Sequence, residues 1–298
     1  MVMSAFSPIR PFEKKDPVSS KLQSDHCEVA LKTSLGTINS WNISNPAYHK
    51  FFANDESQVF AQTVLADTNI DVLNVKIESQ LETIANRLLD GAVNIQVIVE
   101  GYETFYEKLA EKIGDGEFHL LAEKPEGWTK TKNITGIVVD NSKFSIRTSA
   151  VINVDYQEEG RDSVLRVPYV HVQEVISRRE MIVVGVHVPG TASQYPEKGL
   201  SALAKVIDGL WEKHDKKVDV IGIGDFNSTP ENVAKHFKTV LEPSYWTHAN
   251  PRFAAASKYD MAIVREAEQE SSKPEMLPSD ALSDASRALA KGLELLIV

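Results

Sequence analysis

The 298-residue chain has one cysteine, Cys27. A single thiol closes no internal disulfide, so packing must hold the core, and the cytoplasm or another reducing compartment is the expected location. No run of eighteen apolar residues occurs, which excludes a helix that spans a membrane. The N-terminus, MVMSAFSPIRPFEKK, lacks the apolar stretch of a secretory signal. Export that reads some other signal would escape this test. Basic charge is in deficit: 32 Lys and Arg stand against 42 Asp and Glu, a formal net charge of −10. A protein that grips long duplex DNA by its phosphates needs a basic field. The acidic balance argues against that footprint and suits a site that gathers divalent cations. What is present is ordinary for a globular chain, 42% hydrophobic and 25% charged residues, with length enough for a full core.

Residues 1–30 are rich in Pro, Ser and Lys without apolar periodicity and read as a flexible leader, followed by a single domain over 31–298. The stretch 34–43 (SLGTINSWNI) alternates like a strand. Leu81, Ile84 and Leu88 recur at helical spacing, as do Tyr102, Phe105, Leu109 and Ile113, and as do Leu200, Leu203, Ile207 and Leu210. Apolar runs at 93–101, 133–140, 143–154, 163–175 and 181–190 predict strands, with turn signals DNSK and SRRE among them. A short helix is expected at 231–236, closing strands at 257–264 and 287–298, and a polar loop between those two. No internal repeat is visible. Strands in succession need antiparallel pairing, while helices separate several others. Two mixed sheets packed together, with helices outside, satisfy both facts.

The stretch VDVIGIGDFNSTP (218–230) ends a β-branched run on Gly-Asp-Phe-Asn. A carboxylate at the mouth of a core strand costs free energy unless something pairs with it. Other strand ends carry polar groups too: Asn42 after TINSW, Glu100 after QVIV, His187 after VVGV, then Asp260 in KYDMAIV and Asp284 in LSDAS. Singly, each Asn or Asp has the plain reading of turn chemistry, and His187 that of a hydrogen-bonded core histidine. Trp41 reads as core, and His171 as structural or exposed.

In this order, with GDFN as the most specific piece, the chain from 34 to 298 resembles the endonuclease/exonuclease/phosphatase family of metal-dependent phosphoesterases. The resemblance implies an α+β fold, a four-layer αββα sandwich of two mixed, mainly antiparallel sheets flanked by helices. It implies Mg²⁺ or Mn²⁺ held by Glu100, with Asn42 and Asp284 assisting. Asp225 would orient or deprotonate the attacking water, Asn227 donate to a phosphoryl oxygen, and His187 stabilise developing charge. Asp260 would hold a catalytic imidazole. These residue types suit phosphoester hydrolysis, which needs charge neutralised on phosphoryl oxygens and an aligned water. Substrate contacts are expected from Asn42 and Asn227 and, by charge, from Arg252; Tyr245, Trp246 and Tyr259 either stack on a base or lipid headgroup or simply pack. A nuclease or nucleotide phosphodiesterase is the favoured activity. The alternatives are a phosphoinositide phosphatase or a sphingomyelinase-like phospholipase acting on a lipid headgroup.

The family's last motif is Ser-Asp-His, and here the chain departs. It reads Ser283-Asp284-Ala285, with a similar Ser279-Asp280-Ala281 nearby, and no histidine follows His248. Loss of a positioned acid–base group costs about 10²–10⁴ in rate. Three readings stand: an inactivated variant of a parent with histidine in place of Ala285, a pseudoenzyme that binds without turnover, or replacement by another histidine such as His248. The first is preferred because the rest of the set is intact.

Overall fold

The computed structural model describes residues 2–4, 26–43, 70–125, 133–191, 195–243, 248–250 and 255–268. Asp284, Ala285, Tyr245, Trp246, Arg252, both Ser-Asp-Ala triplets and the strand expected at 287–298 lie outside them. The chain divides into two compact units, Met1–Ala267 and Glu268–Val298. Among the described residues, every strand and every helix belongs to the first unit.

One six-stranded sheet runs in the order β1 (Val2–Ser4), β2 (Val29–Lys32), β3 (Thr37–Asn42), β4 (Ile95–Gly101), β6 (Ile134–Asp140), β5 (Phe118–Leu121). The other runs β11 (Val240–Leu241), β14 (Asp260–Arg265), β10 (Asp219–Asp225), β9 (Glu180–His187), β8 (Arg161–Glu174), β7 (Phe144–Glu158). A separate ribbon pairs β12 (His248–Asn250) with β13 (Ala255–Ser257). Among the described residues, only β3–β4 and β9–β10 are parallel, and every other pairing is antiparallel. The leader expected over 1–30 is, where described, part of the fold: Val2–Ser4 pairs with Ala30–Lys32, and His26 to Leu31 are buried.

Three apolar layers account for the stacking. Val29, Ile38, Val97 and Val139 of the first sheet meet Val170, Val183, Ile221 and Ile223 of the second. On the first sheet's outer face, Trp41, Ile98 and Val138 are covered by α1 (Ile70–Leu89) and α2 (Glu103–Ile113) through Leu81, Ile84, Phe105 and Leu109. On the second sheet's outer face, Ile182, Val184 and Val220 are covered by α3 (Glu197–Lys213) through Leu200, Leu203, Ile207 and Leu210. A strand covered on both faces must be apolar on both, which is why IQVIVEG and DVIGIGD read as continuous runs rather than alternating ones. The helix expected at 231–236 is the single turn α4 (Pro230–Val233), with Pro230 in the first turn where its missing N–H costs nothing. The result is the four-layer αββα sandwich.

The sheets share an internal order. The series β2, β3, β4, β6, β5 and the series β14, β10, β9, β8, β7 follow the same sequence of antiparallel, parallel, antiparallel and antiparallel neighbours. The sequence shows no repeat, so this duplication belongs to the backbone alone.

Candidate active site

Each strand that carries a candidate residue has its counterpart in the other sheet, and the candidates touch in those pairs. Asn42, last in β3, donates from Nδ2 to Asp225 Oδ2, last in β10, at 3.0 Å. Glu100 in β4 lies 3.6 Å from Nε2 of His187, last in β9. His26, just ahead of β2, has Nδ1 2.8 Å from Oδ2 of Asp260, first in β14. In the second sheet the register sets Asp225 beside both His187 and Asp260.

The histidine opposite Asp260 is therefore His26, a residue from the stretch expected to be a leader. Position 285, where the resemblance would place a histidine, is alanine, and the imidazole that meets Asp260 comes from near the other end of the chain. The signal was legible: residues 24–26 read Ser-Asp-His, the triplet sought at the far end of the chain. In space β2 pairs with β3 as a tight hairpin, so a strand that ends one chain can equally begin another without altering the sheet.

His26 is held from several sides. Its Nε2 lies 3.4 Å from Asn42 Nδ2 and 3.9 Å from Asp225 Oδ2, and its carbonyl accepts from Trp41 Nε1 at 3.2 Å. An amide N–H facing Nε2 requires a lone pair there, which puts the neutral ring's proton on Nδ1, facing Asp260. Two residues on, buried Glu28 is paired with buried Arg87 of α1, and burial lowers the Arg87 pKa to about 10.

Asp225 is 1% exposed. Its Oδ1 accepts the Asn227 backbone N–H at 2.8 Å, and its Oδ2 accepts Asn227 Nδ2 at 3.1 Å as well as Asn42. Burial pushes its pKa up to about 6; His26 and His187 pull it down and Asp260 pushes it further up. Burial lowers the His187 pKa, Asp225 opposing this and His26 adding to it, so His187 is neutral at pH 7.

Asn227 was expected to donate to a phosphoryl oxygen, yet its amide protons go to Asp225 Oδ2 and to Val188 O at 2.9 Å. With φ +47, a left-handed value that asparagine tolerates, Asn227 fastens the turn after β10. His171 is buried and 2.9 Å from Glu180, the structural one of its two readings. Trp41 is core, as expected.

A cavity of about 370 Å³ is lined by Glu100, His187 and Asn227 of this set, together with Asn133, Val151, Val164 and Arg166; His26, Asp225 and Asp260 are buried beside these residues. Arg166 is braced by a 2.9 Å hydrogen bond to Glu123 O. Ligand atoms of His26, Asp225 and Asp260 lie within 4.8 Å of one another, a spacing that would also admit a cation.

No family model matches the sequence, and no curated protein does. Solved structures do match in fold. An endonuclease/exonuclease/phosphatase family protein from Bacteroides thetaiotaomicron aligns with TM-score 0.54 and 12% identity over 77% of this chain and 82% of its own. A mannosyl-6-phosphatase from the same organism aligns with TM-score 0.54 and 13% identity over 77% and 85%. The D. rerio TDP2 humanized by 14 mutations aligns with TM-score 0.52 and 15% identity over 78% and 84%.

Proposed function

We propose, from the premise that the chain has the endonuclease/exonuclease/phosphatase fold, that it is a hydrolase of phosphoric esters dependent on Mg²⁺ or Mn²⁺, with His26 as its acid–base imidazole. The observation that carries this is the buried Asp260–His26–Asp225 arrangement beside Glu100 and His187, two residues that line a cavity.

The donor set fits a hard divalent cation at Glu100. Mg²⁺ keeps most of its waters and takes one or two carboxylates, and Glu100 supplies one such oxygen at a partly exposed position in the cavity. The ligand atom Asn42 has to offer is its amide oxygen, because the nitrogen donates to Asp225. The triad of His26, Asp225 and Asp260 fits a cation less well: Nδ1 of His26 is engaged with Asp260, and the set reads better as an acid–base relay. The cation, when bound, neutralises charge on the phosphoryl oxygens.

The protein's own groups supply the rest. Asp260 fixes the tautomer and angle of His26. Asp225, ionised above about pH 6, takes the proton of the water that attacks phosphorus as the ester P–O bond breaks, and the departing oxygen takes its proton from solvent water. His187, which lines the cavity, faces the developing charge, and His26, beside Asp225, keeps a lone pair on Nε2 that can take up a proton. Arg166 in the cavity wall offers a cation to the phosphate. On this reading His26 takes the role that the resemblance gives to a histidine in the last motif, and the chain is proposed to be active rather than an inactivated variant.

The substrate proposed is compact. A cavity of 370 Å³ is at the small end for ligand sites, and a net charge of −10 disfavours a long polyanion. A nucleotide or the end of a single strand is favoured over duplex DNA or a membrane lipid. The test is hydrolysis by the purified chain of a panel of nucleotides, single-stranded oligonucleotides, sugar phosphates and phospholipids, with Mg²⁺ or Mn²⁺ and with EDTA. Cleavage that EDTA removes and Glu100→Gln abolishes is expected; silence across the panel overturns the reading.

A further inference from the structure

We infer that Tyr106 is a positioning residue for Glu100, acting through the irregularity in β4; the inference rests on the reading of Glu100 as the cation's ligand. The β4–β6 ladder is regular from Ile95↔Val139 to Ile98↔Gly136, breaks, and resumes at Gly101↔Ile134. Glu100 lies in the break with φ +59. A glutamate holds a left-handed backbone only where its surroundings over-determine it. The break turns the carboxylate out of the strand's alternation and towards His187 and the cavity.

Tyr106 is what pins the break. Its hydroxyl lies 3.1 Å from Ile98 O and 2.9 Å from Ile134 O, one carbonyl on each strand at the two limits of the irregularity. The ring is seated on two glycines. A Cβ at Gly101 would fall 2.3 Å from the hydroxyl oxygen, and one at Gly136 2.7 Å from the ring. The chain reaches Tyr106 directly from the break, because α2 begins at Glu103. Burial raises the hydroxyl's pKa, so it stays protonated and donates. An ordinary core tyrosine needs one acceptor and no pair of glycines; this one bridges both sides of the single departure from register in β4.

The experiment uses the full chain, with Mn²⁺ alone titrated calorimetrically into the parent, Tyr106→Phe, Glu100→Gln and the double variant. Phenylalanine keeps the ring and removes only the hydroxyl. Tyr106→Phe is expected to weaken Mn²⁺ binding on the order of ten-fold, the size usual when a ligand loses its support. It is also expected to lower kcat with little change in KM. In the Glu100→Gln background the same substitution should change the Mn²⁺ affinity no further. An unchanged Mn²⁺ affinity in Tyr106→Phe, or additive losses in the double variant, overturns the inference alone. A parent that binds no Mn²⁺ overturns the cation reading and the inference with it.

Discussion

His26 and Asp260 are 234 residues apart in the chain and 2.8 Å apart in space. The pair joins the residue just ahead of β2 to the start of β14, so the proposed acid–base centre is made by bringing the two sheets together.

Replacing His26 tests that pairing. His26→Ala should lower kcat by about 10²–10⁴, the cost of a lost acid–base group, while Ala285→His should leave the rate of the parent unchanged. Steady-state kinetics on the best substrate of the panel decides. A gain of activity in Ala285→His would return the imidazole to the end of the chain.

Asp225 gives a pH dependence of known sign. The unfolded chain's aspartate ionises near 3.9 and the folded one at about 6. Between those values the folded state binds more protons, so this group's contribution to stability falls as pH rises from about 4 to about 6 and is level above. Urea midpoints at pH 4.5 and 7 should differ less in Asp225→Asn than in the parent. Activity should rise through pH 6, where the base becomes ionised.

The Glu28–Arg87 pair should matter most when only half of it is removed. Arg87→Met leaves a buried carboxylate without its cation and should cost about 3–5 kcal/mol. Combining Arg87→Met with Glu28→Gln should recover most of that loss, as read by chemical denaturation.

Gly224 is required by a close approach. Its φ is +150, and a Cβ there would fall 2.0 Å from the Val186 carbonyl oxygen. Gly224→Ala should destabilise by about 3 kcal/mol from backbone strain and overpacking. A thermal midpoint within a degree of the parent's would contradict the geometry.

Much of the architecture was legible. The runs in β4, β9 and β10 are apolar throughout because they are covered on both faces, and the stripes of α1, α2 and α3 repeat at helical spacing because each has one face against a sheet. Asn42, Glu100, His187, Asp225 and Asp260 were legible as polar groups at strand ends, and they do converge. Short strands such as Val2–Ser4 and Phe118–Leu121 lack the length to show a period. The use of Asn227's amide depends on where Val188 O lies, which no local pattern reveals.

The sequence by itself determined the layers and the residue types at the strand ends, because periodicity and burial act on neighbours along the chain. Only the tertiary structure decided which histidine meets Asp260 and how Glu100 leaves its strand. Both depend on contacts between segments far apart in sequence, and hydrogen-bond geometry takes no account of the order in which the chain supplies its strands.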